Sequence, residues 1–548
     1  MDVSLSDVEV QLCDLLDECT QYLEKEKGIR TACRIAGGWV RDKLLGSDSH
    51  DIDVALEDMM GHPFALEFTE YASSAKNLEV KAVSKVKGNP DQSKHLETAK
   101  TSVFGLDLDF VNLRAEEYAD NSRIPTTVTF GTPLEDALRR DTTINSLFYN
   151  VHTRSVEDHV GTGLEDLKKG IIRTPLPPRQ TFMDDPLRVI RCVRFASRFG
   201  FEMVPELVEC AREPEIQEAL VKKITRERVG EEVDKMMNGM NPLHSIYLIH
   251  TLRLFSPVFY TPEAIQAKLS SSPGPSSSAV AAASLLHTFT NAHSPRFQHP
   301  PLHPLLTSAI SPSTSARLFL ACALTPYAGI TYPDRKGIKP AVEAAVREGL
   351  KCGTRNHYLD GIPALFQAAA KLCSPHLASQ KSAELPERVV IGLLLRDPAV
   401  HNPLVESHWT SSLLFSLVQE LVQFYDGEKD SFDVQAAAAC IENYNGFVRR
   451  IQELDLVSAA DAKPLLDGRE ILQVLGATKP GVWTGKVLTD VVQWQLGHPE
   501  GTKEQCMTWV QAQGAAGRWA AEMAQTQHAG SAKRIKKADG DVATKKKR

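Results

Sequence analysis

No stretch of this chain approaches the roughly 18 uninterrupted apolar residues that a membrane-crossing helix needs, so no such span is expected. The ten cysteines (13, 19, 33, 192, 210, 322, 352, 373, 440 and 506) contain no Cys-x-x-Cys pair and no zinc-like spacing. They read as reduced, small apolar residues of an intracellular protein. The opening residues, MDVSLSDVEVQLCDLLDE, are acidic and have neither the basic, Ser-rich look of a transit peptide nor the charge order of a signal peptide, so export is not expected. A general positive field is also missing: 62 Lys and Arg face 69 Asp and Glu, a formal charge of −7. Lys533 to Arg548 carries eight basic side chains against two Asp, which leaves the remainder near −13. A polyanionic partner must then be held by local basic strips. The tail itself, KRIKKADGDVATKKKR, has the two basic clusters and polar spacer of a bipartite nuclear import signal.

At 548 residues the chain exceeds one core and should divide into three or four units. Residues 5–27 place Leu and Val at helical spacing between acids. The stretch from Arg34 to Leu56, RIAGGWVRDKLLGSDSHDIDVAL, reads as strand, tight turn, helix and strand, with Gly46 ending the helix. On a strand alternate side chains share a face, so Asp51 and Asp53 point one way while Ile52 and Val54 enter the core. Two adjacent carboxylates repel unless a cation lies between them. Oxygen-only ligands in a pair suit Mg²⁺, which keeps waters and shares its shell with phosphates. Gly37 and Gly38 lack Cβ atoms, so a triphosphate can approach the backbone at the start of the following helix. Together these features imply metal-assisted phosphoryl transfer from a nucleotide.

Further along, Leu78–Val83 reads as a strand, and Lys85–Ser102 as a polar loop carrying Lys94, His95 and Glu97. LDLDFVNL (106–113) alternates with period two and puts Asp107 and Asp109 on one face; a resemblance to polymerase-like heads, which often carry a third carboxylate on a neighbouring strand, would make Asp109 that candidate. Thr132 and Glu135 form a capping box, and the segment they open leads into Arg139-Arg140-Asp141-Thr-Thr-Ile-Asn145, with Asn145 one helical turn past Asp141. In FMDDPLRVIRCVRFASRFGF (182–201), Pro186 fits a first helical turn with Asp184 or Asp185 as cap. Asp185 and Arg188 then stand one turn apart, and Arg191, Arg194 and Arg198 continue a basic stripe. A carboxylate accepts from the exocyclic amino group of cytosine or adenine, and a guanidinium donates to the ring acceptor beside it. Uracil and guanine reverse that polarity, and each unmatched buried group costs roughly 1–3 kcal/mol. A template strand is then unnecessary.

Gly-Gly-x-Val-Arg-Asp followed by Asp-Ile-Asp, Arg-Arg-Asp-x-Thr-x-Asn, and Asp-Asp-x-x-Arg, in that order, resemble the motifs of class II CCA-adding enzymes of the eukaryotic type. The resemblance covers about residues 28–235 strongly and 465–510 weakly. It implies an α+β fold: a polymerase-β-like nucleotidyltransferase head, a small mixed β-sheet with helices, followed by all-α neck, body and tail. The expected boundaries are head 1–155, neck 156–240, body 241–450 with a Ser/Pro-rich, low-complexity insertion near 270–316, tail 451–530, and a basic disordered end 531–548. It further implies that Gly37, Gly38 and Arg41 lie at the nucleotide and that Arg140, Asp141 and Asn145 read the ribose. Asp185 and Arg188 would choose the base, and Arg191 and Arg194 would grip either the triphosphate or the tRNA backbone. Asp51 and Asp53 would hold Mg²⁺. Thr225-Arg-Glu-Arg228 resembles a fifth motif read as structural support, and LLDGREIL with Lys479-Pro480-Gly481 resembles a tail that meets the tRNA elbow; helix punctuation reads those last residues equally well.

The expected activity is addition of CCA to the tRNA 3′ end from CTP and ATP, by a cytoplasmic and nuclear monomer with a mitochondrial pool through an alternative start. A poly(A) polymerase or a partial CC- or A-adding enzyme shares these motifs. A catalytically silent tRNA-binding protein is the alternative of another class, and the intact carboxylate pair argues against it.

Overall fold

In the computed structural model the sheet of the first unit grows from the alternation seen at Asp51–Leu56, where Ile52 and Val54 are buried and the two aspartates face out. The described residues are 3–523 apart from 50, 87–97, 118–126, 292–295, 297, 354, 376–384, 427–428 and 430. Lys94, His95, Glu97 and the basic end 531–548 therefore lie outside them. The chain divides into two units, Met1–Ser284 with Ser315–Leu359, and Leu285–Thr314 with Asp360–Arg548.

In the first unit α1 (Asp7–Lys27) starts from a Ser6–Glu9 capping box and buries Leu12, Leu15, Leu16 and Leu23. Strands β1 (Cys33–Ala36), β2 (Asp51–Leu56), β3 (Ser84–Val86), β4 (Thr98–Val103) and β5 (Leu106–Asn112) belong to one mixed sheet. A separate hairpin, β6 (Arg114–Glu117) and β7 (Thr127–Phe130), precedes its last members, β8 (Phe148–Asn150) and β9 (Ser155–Glu157). The seven-stranded order is β3-β4-β5-β2-β1-β8-β9. β2 and β5 run parallel, and the other neighbours are antiparallel. Helices α2 (Gly38–Leu44) and α3 (Gly61–Glu70) follow β1 and β2. Phe64 and Phe68 of α3 pack on Phe110 of β5. α3 comes so close that a Cβ at Gly61 would lie 2.1 Å from the Phe110 carbonyl oxygen.

Leu78–Val83 is not the strand its composition predicts. It makes an isolated bridge, Val80 to Val103, plus scattered bonds between Lys81 and residues 101–102. Its register with β4 is broken, and the strand begins at Ser84.

Beyond the sheet come α4 (Pro133–Leu138), capped by Thr132 and Glu135 as the capping box requires, and α5 (Gly163–Lys169). Helices α6 (Pro178–Asp184), α7 (Leu187–Phe199), α8 (Pro205–Ala211), α9 (Pro214–Lys223) and α10 (Arg226–Met237) follow. Residues 270–316, expected as a low-complexity insertion, contain a buried helix, Ser277–Thr290, with Ala282, Leu285 and Leu286 inside. The Ser and Pro residues around it hid the apolar run AVAAASLL from the compositional reading.

In the second unit helices Gly361–Leu372 and Trp409–Leu421 pack together. Helices Gly468–Val474, Val482–Gly497 and Lys503–Ala515 share a core of Ile471, Trp483, Val487, Val491, Val510 and Trp519. The Gly481 amide donates to the Thr484 hydroxyl at 3.1 Å, which is the helix-punctuation reading of Lys479-Pro480-Gly481. No helix among the described residues is long and apolar enough to cross a membrane. None of the ten cysteines is bonded to another, and all but Cys373 are buried.

Candidate active site

The parallel pairing of β2 and β5 sets Asp51 beside Asp107 and Asp53 beside Asp109, so the outward face of two strands carries four carboxylates. Asp53 lines a cleft of about 460 Å³, and Asp51 and Asp109 line a cavity of about 290 Å³ beside it. Asp53 as a residue is exposed on the strand face. The surrounding protein nevertheless raises its carboxyl above the usual range through desolvation and the Asp109 and Asp51 charges, with Arg140 and Lys100 opposing. Asp109 itself sits against Lys100 on β4, Nζ to Oδ2 2.6 Å, so the candidate third carboxylate is in an ion pair.

Among the described residues no group of three or more His, Cys, Asp or Glu is placed to hold a metal ion. The neighbouring carboxylates Asp51 and Asp53 on β2 are the residues that could hold one. That pair fits a hard cation which retains water and completes its shell with phosphate oxygens, as Mg²⁺ does.

Gly37 adopts φ 71°, and a Cβ there would lie 2.6 Å from Arg140 Nη1, so any larger residue would push the guanidinium aside. Gly38 opens α2, whose Arg41 is 4 % exposed, pairs with Asp42 at 2.7 Å and donates to Asn145 Oδ1. Desolvation lowers the Arg41 pKa, and Asp42 opposes this. The expected helical turn from Asp141 to Asn145 does not exist, because α4 ends at Leu138 and Asn145 closes a 3-10 turn, Thr143–Asn145. The contact forms anyway: Asn145 Nδ2 donates to Asp141 Oδ1 at 2.9 Å. Asp141 also accepts the Thr142 amide at 2.8 Å and pairs with Arg191 of α7 at 2.5 Å. Burial alone would push its carboxyl up; Arg191 and Asn145 hold it far below the ordinary range. Arg140 forks onto Asp136 at 2.9 and 3.1 Å and donates to the Asn145 carbonyl at 3.1 Å.

Asp185 ends α6 and accepts the Leu187 amide at 3.2 Å, while the N-cap of α7 is Pro186 rather than either aspartate. Arg188 is 8 % exposed, and its guanidinium donates to the carbonyls of Thr181, at 3.3 Å, and Arg139, at 2.6 Å, rather than to Asp185. Asp185 instead pairs with Arg228 of α10, Nη2 to Oδ2 2.8 Å. Arg194 pairs with Glu232 at 2.6 Å and lies over the Phe195 ring at 4.2 Å. The 460 Å³ cleft brings together Gly37, Gly38, Arg41, Asp53, Arg140, Asp141, Asn145, Asp185, Arg188, Arg191 and Arg194. Asp51 and Asp109 stand next door.

Arg139, Phe195, Arg198 and Arg228 also line the cleft and were not candidates in the sequence. Arg139 and Arg198 sit inside motifs already singled out. Arg228 belongs to the stretch read as support, and nothing in its spacing points at Asp185.

The model of the poly(A) polymerase head domain matches residues 33–173, the segment that carries β1 through the second motif. The mitochondrial CCA tRNA nucleotidyltransferase of Saccharomyces cerevisiae is 35 % identical over 537 residues, 93 % of this chain and 94 % of its own. The chain belongs to the CCA tRNA nucleotidyltransferase family. A solved CCA-adding enzyme in complex with CTP shares the fold at a TM-score of 0.54 and 20 % identity, covering 93 % of this chain and 96 % of its own. Poly(A) polymerase I of Salmonella typhi is similar over less, 30 % identical across 41 % of this chain and 46 % of its own. As a CCA tRNA nucleotidyltransferase family member the chain is an enzyme of phosphoryl transfer, in a superfamily that generally uses divalent metal ions.

Proposed function

We propose that this enzyme adds C, C and A to the 3′ end of tRNA from CTP and ATP, releasing pyrophosphate. The observation that carries this reading is a shared cleft: Asp53 of the acid pair, the Asp141–Asn145 pair and the Asp185–Arg188 turn line one space. A nucleotide bound there has its phosphates toward β2 and its base toward the start of α7. Asp51 and Asp53 would hold Mg²⁺, which would supply charge stabilisation at the reacting phosphate. Asn145, anchored by Asp141, and Arg140, anchored by Asp136, meet the ribose. The fixed Asp185 carboxylate accepts from the amino group of cytosine or adenine, and Arg188, which lines the same cleft, donates beside it with the N–H groups its two carbonyl contacts leave over. The tRNA terminal hydroxyl then attacks the α-phosphorus in line, and pyrophosphate leaves. Uracil and guanine turn a carbonyl toward Asp185 and are rejected.

Full-length similarity to a CCA tRNA nucleotidyltransferase, against partial similarity to a poly(A) polymerase, favours CCA over an A-tract. The mitochondrial designation of that relative supports a mitochondrial pool beside cytoplasmic and nuclear ones. Incubation with CTP, ATP and a tRNA lacking CCA tests the activity. Three added residues are expected; an A-tract or an unextended tRNA would overturn it.

A further inference from the structure

We propose that Arg228 is a specificity-determining positioning residue, which clamps the Asp185 carboxylate so that it presents a fixed acceptor edge to the incoming base. The proposal rests on the proposed CCA addition and names the residue that sets its base choice. Arg228 approaches Asp185 as a fork, Nη2 to Oδ2 2.8 Å and Nη1 to Oδ1 3.4 Å. Oδ1 also accepts the Leu187 amide, so the carboxylate is tied from α10 on one side and from the backbone at the start of α7 on the other. Two ties to different elements fix the plane of the group as well as its position. Arg188, the guanidinium that spacing assigns to Asp185, is engaged with the Thr181 and Arg139 carbonyls, where it joins α6 to the end of α4. Arg228 and Asp185 both line the cleft that holds Asp53. α10 is itself anchored, since a Cβ at Gly230 would lie 1.9 Å from the Leu350 carbonyl oxygen and Arg226 donates to the Gly349 carbonyl at 2.6 Å.

A carboxylate free to rotate can turn its oxygens away from the carbonyl of uracil or guanine and admit the wrong base. Bidentate guanidinium contact removes that freedom, so the carboxylate holds its acceptor edge toward an amino group and repels a carbonyl. Arg228 thus acts through Asp185 without touching the base.

The test measures kcat/KM for single CTP and UTP additions to tRNA lacking CCA, for wild type, Arg228→Ala, Arg228→Lys, Asp185→Ala and the Arg228→Ala/Asp185→Ala double variant. The CTP-over-UTP ratio should fall about tenfold or more in Arg228→Ala, a loss like that of one mismatched buried hydrogen bond. The fall should be smaller in Arg228→Lys, which keeps charge without the fork. The double variant should discriminate no worse than Asp185→Ala, because one residue works through the other. Should Arg228→Ala not fold, Arg228→Lys carries the test with the same ratio. An unchanged ratio, or equal loss of rate with CTP and UTP, would overturn the proposal in favour of simple support for the fold. If wild type adds no CCA, the functional reading fails instead; if wild type adds CCA and the ratio does not move, the role of Arg228 alone fails.

Discussion

Replacing Arg191 by Met should cost the first unit about 3 kcal/mol at neutral pH, and the cost should shrink in acid. Asp141 is 7 % exposed and has three kinds of partner: the Thr142 amide at 2.8 Å, the Asn145 amide at 2.9 Å and the Arg191 guanidinium at 2.5 Å. Removing one member of a buried ion pair costs about 3–5 kcal/mol. Two of the partners survive, and the Arg191 side chain is 33 % exposed, so water can reach the gap and the low end applies. Glu232 keeps Arg194 at 2.6 Å and adds little to the loss. In the wild type the Asp141 carboxyl is held far below its unfolded value of about 3.9, so its stabilisation is complete above that pH and is lost only as pH falls further. In the variant burial is opposed only by the remaining partners, the carboxyl moves up, and protonation at mildly acidic pH relieves the strain. The difference between the two proteins should therefore narrow by about 1 kcal/mol or more between pH 7 and pH 4.5. Hydrogen exchange of peptides from 133–150 and 187–199, corrected for intrinsic rate, reads the opening free energy of this region. A cost below about 1 kcal/mol at pH 7, or an equal cost at both pH values, would refute the reasoning.

Asp53→Asn should reduce single-turnover CTP addition by about 10³-fold, the loss of several kcal/mol of charge stabilisation, and weaken Mn²⁺ binding read by electron paramagnetic resonance; wild-type rate or wild-type Mn²⁺ affinity would remove it from the acid pair. Gly37→Ala should destabilise the first unit by about 1–2 kcal/mol, from φ 71° and a Cβ only 2.6 Å from Arg140 Nη1. It should also displace Arg140 and raise KM for CTP, checked by denaturant melts and initial rates.

The acid pair was legible because period two on a strand leaves no freedom: once Ile52 and Val54 are inside, Asp51 and Asp53 are outside. Caps were legible for the same reason, being local, and Thr132 with Glu135 forms its box as the spacing demands. Long side chains were not. Arg188 stands one turn from Asp185, yet its guanidinium reaches carbonyls on other elements, and Arg228, 43 residues from Asp185, takes the place that helical spacing had given it. Spacing positions Cα atoms, whereas an arginine chooses among acceptors that only the folded chain brings near. The buried helix Ser277–Thr290 was missed because composition averaged over Ser and Pro conceals one apolar turn-rich run. The failed helical turn at Asn145 shows the converse, since Asn145 ends a 3-10 turn that begins at Thr143 and its side chain still reaches Asp141.

A crystal structure of the protein with CTP, Mg²⁺ and a tRNA ending before its CCA tests the central claim most directly. The account predicts the cytosine amino group on the Asp185 carboxylate and the α-phosphate beside a metal ion on Asp51 and Asp53. A base edge turned away from Asp185, or phosphates bound outside the Asp53 cleft, would contradict it.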